Sequence, residues 1–135
     1  MAKTFSYSAK EKLKSRKLME ELFSGGKSFS VFPVKLFYKE VKEPIDFPVK
    51  AGVGASSKRF KKAVERNRIK RLLRESYRLN KLPLIEFATR EKKQVAVFFL
   101  FIDKVLPDYT ILQEKMPLLI DKLIKQLNEN TAANT

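Results

Sequence analysis

Residues 58–81 read KRFKKAVERNRIKRLLRESYRLNK and hold eleven Lys or Arg against two acids, Glu65 and Glu75. These 24 residues carry nine of the chain's fourteen net positive charges. From Ala63 onward the stretch is patterned as a helix. At about 100° per residue, Ile69, Leu72, Leu73 and Ser76 share one face, flanked by Glu65, Tyr77 and Leu79. Asn67, Lys70, Arg71, Arg74 and Arg78 share the opposite face. An exposed helix face normally mixes Glu with Lys, because opposite charges four residues apart support the helix. Here the polar face is almost purely cationic, and repulsion among parallel cations costs folding free energy. A polyphosphate backbone outside the protein is the natural counter-charge. Single-sign clustering beside an apolar stripe is the footprint of nucleic-acid binding.

Composition narrows the partner and excludes much chemistry. A chain of 135 residues that is 44% hydrophobic supports one domain with a core and is too apolar for the disordered class. A net charge of +14 points to RNA, DNA or an anionic membrane surface. The membrane is the weakest of these, since the longest apolar run, Val95 to Ile102, is eight residues. The opening MAKTFSYSAKEK lacks the apolar core of a signal peptide, so a cytoplasmic location is expected. The chain has no Cys and no His. That removes disulfide-linked partners, zinc knuckles, thiol nucleophiles and the commonest general base. The four Asp residues, 46, 103, 108 and 121, form no two-metal pattern, and no phosphate-cradling Gly-rich loop is present.

Read in order, residues 1–14 are polar, basic and patterned as a flexible arm. Ser15 caps a short helix through Phe23, whose stripe is Leu18, Met19, Leu22 and Phe23, and Gly25-Gly26 ends it. The local pattern favours core positions for Met19 and Phe23. A strand follows at 31–41, with Pro33 near its start. Val34, Leu36 and Tyr38 lie on one face, and Lys35, Phe37 and Lys39 on the other. An aromatic between two cations on an exposed strand is either a solvated edge or a platform on which bases stack. A turn at 42–46 leads to a second strand at 47–56, with Val49, Ala51, Val53 and Ala55 inward and Lys50, Gly52, Gly54 and Ser56 outward. The short turn predicts an antiparallel hairpin, and the bare outward face invites close approach of another backbone or of a helix. The basic helix spans 62–79, Pro83 blocks its continuation, and 82–93 reads as a connection. Residues 94–103 form the most apolar strand, which predicts a central position. A last helix begins at Thr110, with Leu112, Met116, Leu119, Ile120, Leu123 and Leu127 as its stripe. Pro117 either starts it near Lys115 or interrupts a longer one. Residues 129–135 read as a polar tail. The expected fold is α+β, one domain at 15–128, in the order α-β-β-α-β-α.

The segment Ala63-Val64-Glu65-Arg66-Asn67-Arg68-Ile69-Lys70-Arg71-Leu72-Leu73-Arg74-Glu75 resembles the signature of the bacterial ribonuclease P protein subunit: an Arg-Asn-Arg motif followed by a basic helix. Leu18 to Gly26, Val34 to Tyr38 and Val53 to Arg59 are similar to that family's first helix, first strand and the strand leading into the motif. The chain departs from the family at Met19, where many members have an aromatic, and by one extra residue in 58–62. The resemblance implies an αβββαβα domain that joins a catalytic RNA and aids removal of the 5′ leader from precursor tRNA. The RNA and its bound Mg²⁺ would supply the chemistry, with no catalytic residue on the protein. It also implies that Arg66, Asn67, Arg68, Lys70, Arg71 and Arg74 contact the catalytic RNA, together with Lys58, Arg59, Lys62 and Arg78. Phe23, Lys35, Phe37, Lys39, Gly52, Gly54 and Ser56 would line a cleft for the single-stranded leader.

Other readings fit the composition. A ribosomal or RNA-chaperone module needs only the charge. A DNA-binding regulator would need a partner helix shortly before the basic one, where a strand is expected instead. A nuclease acting through Glu65, Glu75 and Asp103 has no supporting spacing.

Overall fold

The computed structural model describes residues 9–42, 44 and 47–133. Ser15 caps α1 (Arg16–Gly25), its side chain accepting the Leu18 N–H at 3.2 Å. Gly26 follows because a β-carbon there would collide with the Leu22 carbonyl. Strands β1 (Lys27–Val31) and β2 (Val34–Glu40) form an antiparallel hairpin through Phe32-Pro33. Strand β3 (Val49–Ala55) precedes α2 (Ala63–Asn80), α3 (Leu82–Arg90), β4 (Val95–Phe101) and α4 (Tyr109–Ala133).

The sheet order is β1-β2-β4-β3. The VAVFFLF strand β4 is interior in the sheet, as its continuous apolar run predicts, with Phe98 and Leu100 half-buried on one face and its other residues buried. One sheet face carries Val34, Leu36, Tyr38, Val49, Ala51, Val95, Val97, Phe99 and Phe101, all buried under α2, α3 and α4. Ile69, Leu73 and Tyr77 of α2 and the six stripe residues of α4 fill this core, where Ser76 is also fully buried. The other face carries a smaller cluster of Leu13, Leu22 and Ala96, ringed by Leu18, Met19, Phe37 and Phe98. Only α1 covers it.

The α+β class holds, and the element order gains one strand and one helix. The chain already pairs at Lys27, so the segment expected as one strand at 31–41 is a turn followed by β2, and Pro33 sits in the turn where its missing N–H is harmless. The expected hairpin between the second and third strands does not form. β3 pairs parallel with β4, from Val49↔Val95 to Ala55↔Phe101, and β4 separates it from β2. The predicted turn at 42–46 lies partly outside the described residues. Residues 82–90 are a helix, because Pro83 stops α2 and at the same time starts α3, placing Leu84, Phe87 and Ala88 in the core. Pro117 lies inside one helix that runs from Tyr109 through the segment expected as a tail, to Ala133.

The predicted arm is also corrected where it is described. Residues 1–8 lie outside the described part, but Ala9–Glu11 form a 3-10 turn and Lys12 bridges Ala51 of β3 in parallel. The Leu13 N–H donates to the Ala51 carbonyl at 3.0 Å, and Glu11 forms a buried ion pair with Lys81. Lys81 is therefore not part of the exposed charge of the basic stretch: it is 2% exposed.

Candidate nucleic-acid interface

Burial of Ile69, Leu73, Ser76 and Tyr77 fixes the rotation of α2 and turns Asn67, Arg68, Arg71 and Arg74 outward, all exposed, with Lys70 half-buried beside them. Shallow grooves flank Arg71, one lined with Asn67, Arg74, Glu75 and Arg78, the other with Val64, Arg68 and Leu72. Three arginines expected on this surface are engaged by the protein itself. The Arg66 guanidinium donates to the Phe60 and Lys61 carbonyls at 2.8 Å each, closing the turn ahead of the helix. Arg59 donates to the Ile102 carbonyl. Arg78 forms a two-point pair with Glu75, at 2.6 and 3.2 Å. Hydrogen bonding to Arg78 holds the Glu75 carboxyl below its ordinary range, and the same bond raises Arg78. Lys58 and Lys62 are exposed on the connecting loop. That loop is anchored by Phe60, which is buried against Phe101 with ring centroids 5.9 Å apart.

The second surface lies on the opposite side of the sheet. In the register of the three strands, Phe37, Phe98 and Gly52 form one row across β2, β4 and β3, while Lys35, Leu100 and Gly54 form the next. Phe23 reaches down from α1 and meets both Phe37 and Phe98 edge-on, each at 5.0 Å between ring centroids. Phe23 is 48% exposed, so it is not the core residue its helix pattern favours; Met19 is half-buried in the smaller cluster. The Lys35 ammonium stands 5.0 Å from the Phe37 ring centre, a cation–π distance. Lys39 pairs with Glu21 of α1 at 3.7 Å.

The glycines have a reason other than a bare sheet. A β-carbon on Gly54 would stand 2.7 Å from the Phe98 ring, and one on Gly52 3.0 Å from it. They make the hollow into which Phe98 lies. Ser56 sits past the end of β3, where its Oγ accepts the Lys58 N–H at 3.2 Å, in the turn and not on the sheet face. The residue the sequence reading misses is Phe98. An all-apolar strand has no alternation that says which side chains face which way; only pairing with Phe37 and Gly52 places it.

Among the described residues no three Asp or Glu stand together where they could hold a metal ion, and no helix is long and apolar enough to cross a membrane.

The comparisons agree with this geometry. A family model described as Ribonuclease P matches residues 7–100, from before α1 through β4. The ribonuclease P protein component of Porphyromonas gingivalis is 34% identical over 113 residues, which cover 84% of this chain and 82% of that protein. The solved ribonuclease P protein of Staphylococcus aureus superposes with a TM-score of 0.65 at 18% identity, covering 84% of this chain and 94% of that one. The Thermotoga maritima ribonuclease P protein gives 0.63 at 23%, covering 83% and 96%. These two likenesses bear on the fold. Because the family match spans both the aromatic sheet face and the cationic helix, and most of the chain aligns with the Porphyromonas protein, the chain belongs to the ribonuclease P protein family.

Proposed function

We propose that this protein is the RNA-binding subunit of a cytoplasmic ribonuclease P, where it assembles with the catalytic RNA and holds the 5′ leader of precursor tRNA. The observation that carries the reading is the exposed set Asn67, Arg68, Arg71 and Arg74 projecting from α2 in a chain of this family. Arg68, Arg71, Arg74 and Lys70 neutralise phosphates that folded RNA packs closely, and Asn67 adds a neutral donor and acceptor among them. The sheet face does a different job. Bases of an unpaired leader stack on Phe23, Phe37 and Phe98, while Lys35 and Lys39 sit beside them for the phosphates. Mature tRNA lacks the leader, so this face separates precursor from product by binding free energy alone. If it neutralises about three phosphates, the logarithmic salt slope for precursor exceeds that for product by about two.

The protein contributes no bond chemistry in this reading. The RNA and its bound Mg²⁺ would supply that chemistry. The test is reconstitution. Purified protein, a bacterial ribonuclease P RNA and a leader-bearing precursor tRNA are mixed at low Mg²⁺, and 5′ cleavage is followed. Cleavage that needs both protein and RNA supports the reading. Tight RNA binding without stimulation of cleavage would replace it with a general RNA-binding module.

A further inference from the structure

A second cationic stretch lies outside both surfaces. Residues 9–17 read AKEKLKSRK, with five cations and one acid. After the 3-10 turn at Ala9–Glu11, Lys12 and Leu13 lie along the edge of β3. Glu11 and Leu13 are buried, while Lys10, Lys12 and Lys14 are exposed, and Arg16 and Lys17 continue the exposed charge into the first turn of α1. The inward residues fix this orientation. Leu13 joins the cluster beneath α1 and packs close to Gly52, on the strand that carries the aromatic row. Glu11 reaches Lys81 just past the end of α2. The one acid of the segment is thus neutralised inside the protein, and the ridge that remains is all cationic.

The charge of the segment runs into a helix start. The first turn of a helix carries partial positive charge and prefers carboxylates; α1 has none there and presents Arg16 and Lys17 instead. The ridge also has a defined position. It is tied at Glu11 to Lys81, just past the end of α2, and at Leu13 to the cluster beneath α1. We propose that Lys10, Lys12, Lys14, Arg16 and Lys17 form a third RNA contact, a track for phosphodiesters that joins the helix face to the sheet face. This rests on the reading of the chain as a ribonuclease P subunit. The phosphodiesters belong either to the catalytic RNA or to the leader.

The test uses the full chain carrying Lys10→Gln, Lys12→Gln and Lys14→Gln, reconstituted with a bacterial ribonuclease P RNA. Two salt series are measured: protein binding to the catalytic RNA, and holoenzyme binding to precursor against mature tRNA. Loss of three phosphate contacts lowers a logarithmic salt slope by about two. A fall in the assembly series assigns the ridge to the catalytic RNA; a fall confined to precursor binding assigns it to the leader. The melting temperature is expected to stay unchanged, since Glu11 and Leu13 remain. If it drops, the pair Lys10→Gln and Lys14→Gln leaves the bridging residue in place and carries the same test, with a slope change of roughly one and a half to two. Unchanged slopes in both series would overturn the ridge. Arg71→Ala in parallel separates the failures: if it weakens assembly while the ridge variant does not, only the ridge is wrong, and if neither does, the subunit reading fails with it.

Discussion

The outer face of α2 and the sheet face beneath α1 both present cations, and they are built in opposite ways. On α2 the charges project from a helix whose buried side is fixed by Ile69, Leu73 and Tyr77, and no aromatic stands among them. On the sheet, three phenylalanines meet at the centre and lysines stand at the margin. Charge without rings binds phosphate wherever the backbone is dense. Rings with a few charges need bases that are already unstacked. In the proposed function this difference corresponds to folded RNA on the helix and a single strand on the sheet.

The comparison is broken most severely by removing what holds the two regions in one frame. Lys81→Ala removes the buried ion-pair partner of Glu11, and losing one partner of such a pair costs about 3–5 kcal/mol. Thermal or denaturant unfolding should show a large loss of stability, and both RNA activities should fall together. A melt close to that of the unsubstituted chain would mean that the segment at 9–13 is not clasped as described.

Next come the variants that separate the surfaces. Arg71→Ala with Arg74→Ala removes two charge-assisted contacts and should weaken assembly with the catalytic RNA by about tenfold or more. Its logarithmic salt slope should fall by about two, with folding intact. Normal assembly at low protein concentration would remove these residues from the interface. Gly54→Val acts on the other side. A side chain there drives into the Phe98 ring, so about 1–3 kcal/mol of stability should be lost. Discrimination between precursor and mature tRNA should shrink while assembly persists. Equal loss of both activities in folded protein would show that the surfaces are not independent.

The smallest expected effect sharpens the helix side. Glu75→Gln removes the carboxylate paired with Arg78 and adds one unit of positive charge, so assembly should tighten slightly, most visibly at low salt. The pair also has a pH signature. Because the folded carboxyl titrates below its ordinary value, its stabilisation is complete above that value and is lost as pH falls through the lowered one. Any stability difference between the protein and Glu75→Gln should therefore vanish in acid.

The two regions also differ in how far they could be read from sequence. A helix displays its own geometry, so the period of 3.6 was enough to put Ile69, Leu73 and Ser76 inside and Arg71 and Arg74 outside. The alternation Lys35, Phe37, Lys39 likewise gave the faces of β2. What could not be read depends on pairing between distant segments. Nothing local shows that β3 runs parallel to β4, that Phe98 lies between Phe37 and Gly52, or that Glu11 reaches Lys81 seventy residues away. Two misses had local signals that competing residues masked. Ser28 to Val31 alternates as a strand should, but Pro33 drew attention to a strand start where it forms a turn. Pro83 marks both the end of α2 and the first turn of α3, and only the first role was read.

The division of labour is tested most directly by one pair of binding constants. Holoenzyme carrying Phe37→Ala and Phe98→Ala is titrated with precursor and with mature tRNA, after circular dichroism has shown the fold intact. The account predicts that protein and catalytic RNA assemble normally, that mature tRNA binds unchanged, and that precursor loses about 1–3 kcal/mol for each base no longer stacked. An unchanged ratio of the two affinities, or a loss of assembly from a folded protein, would contradict it.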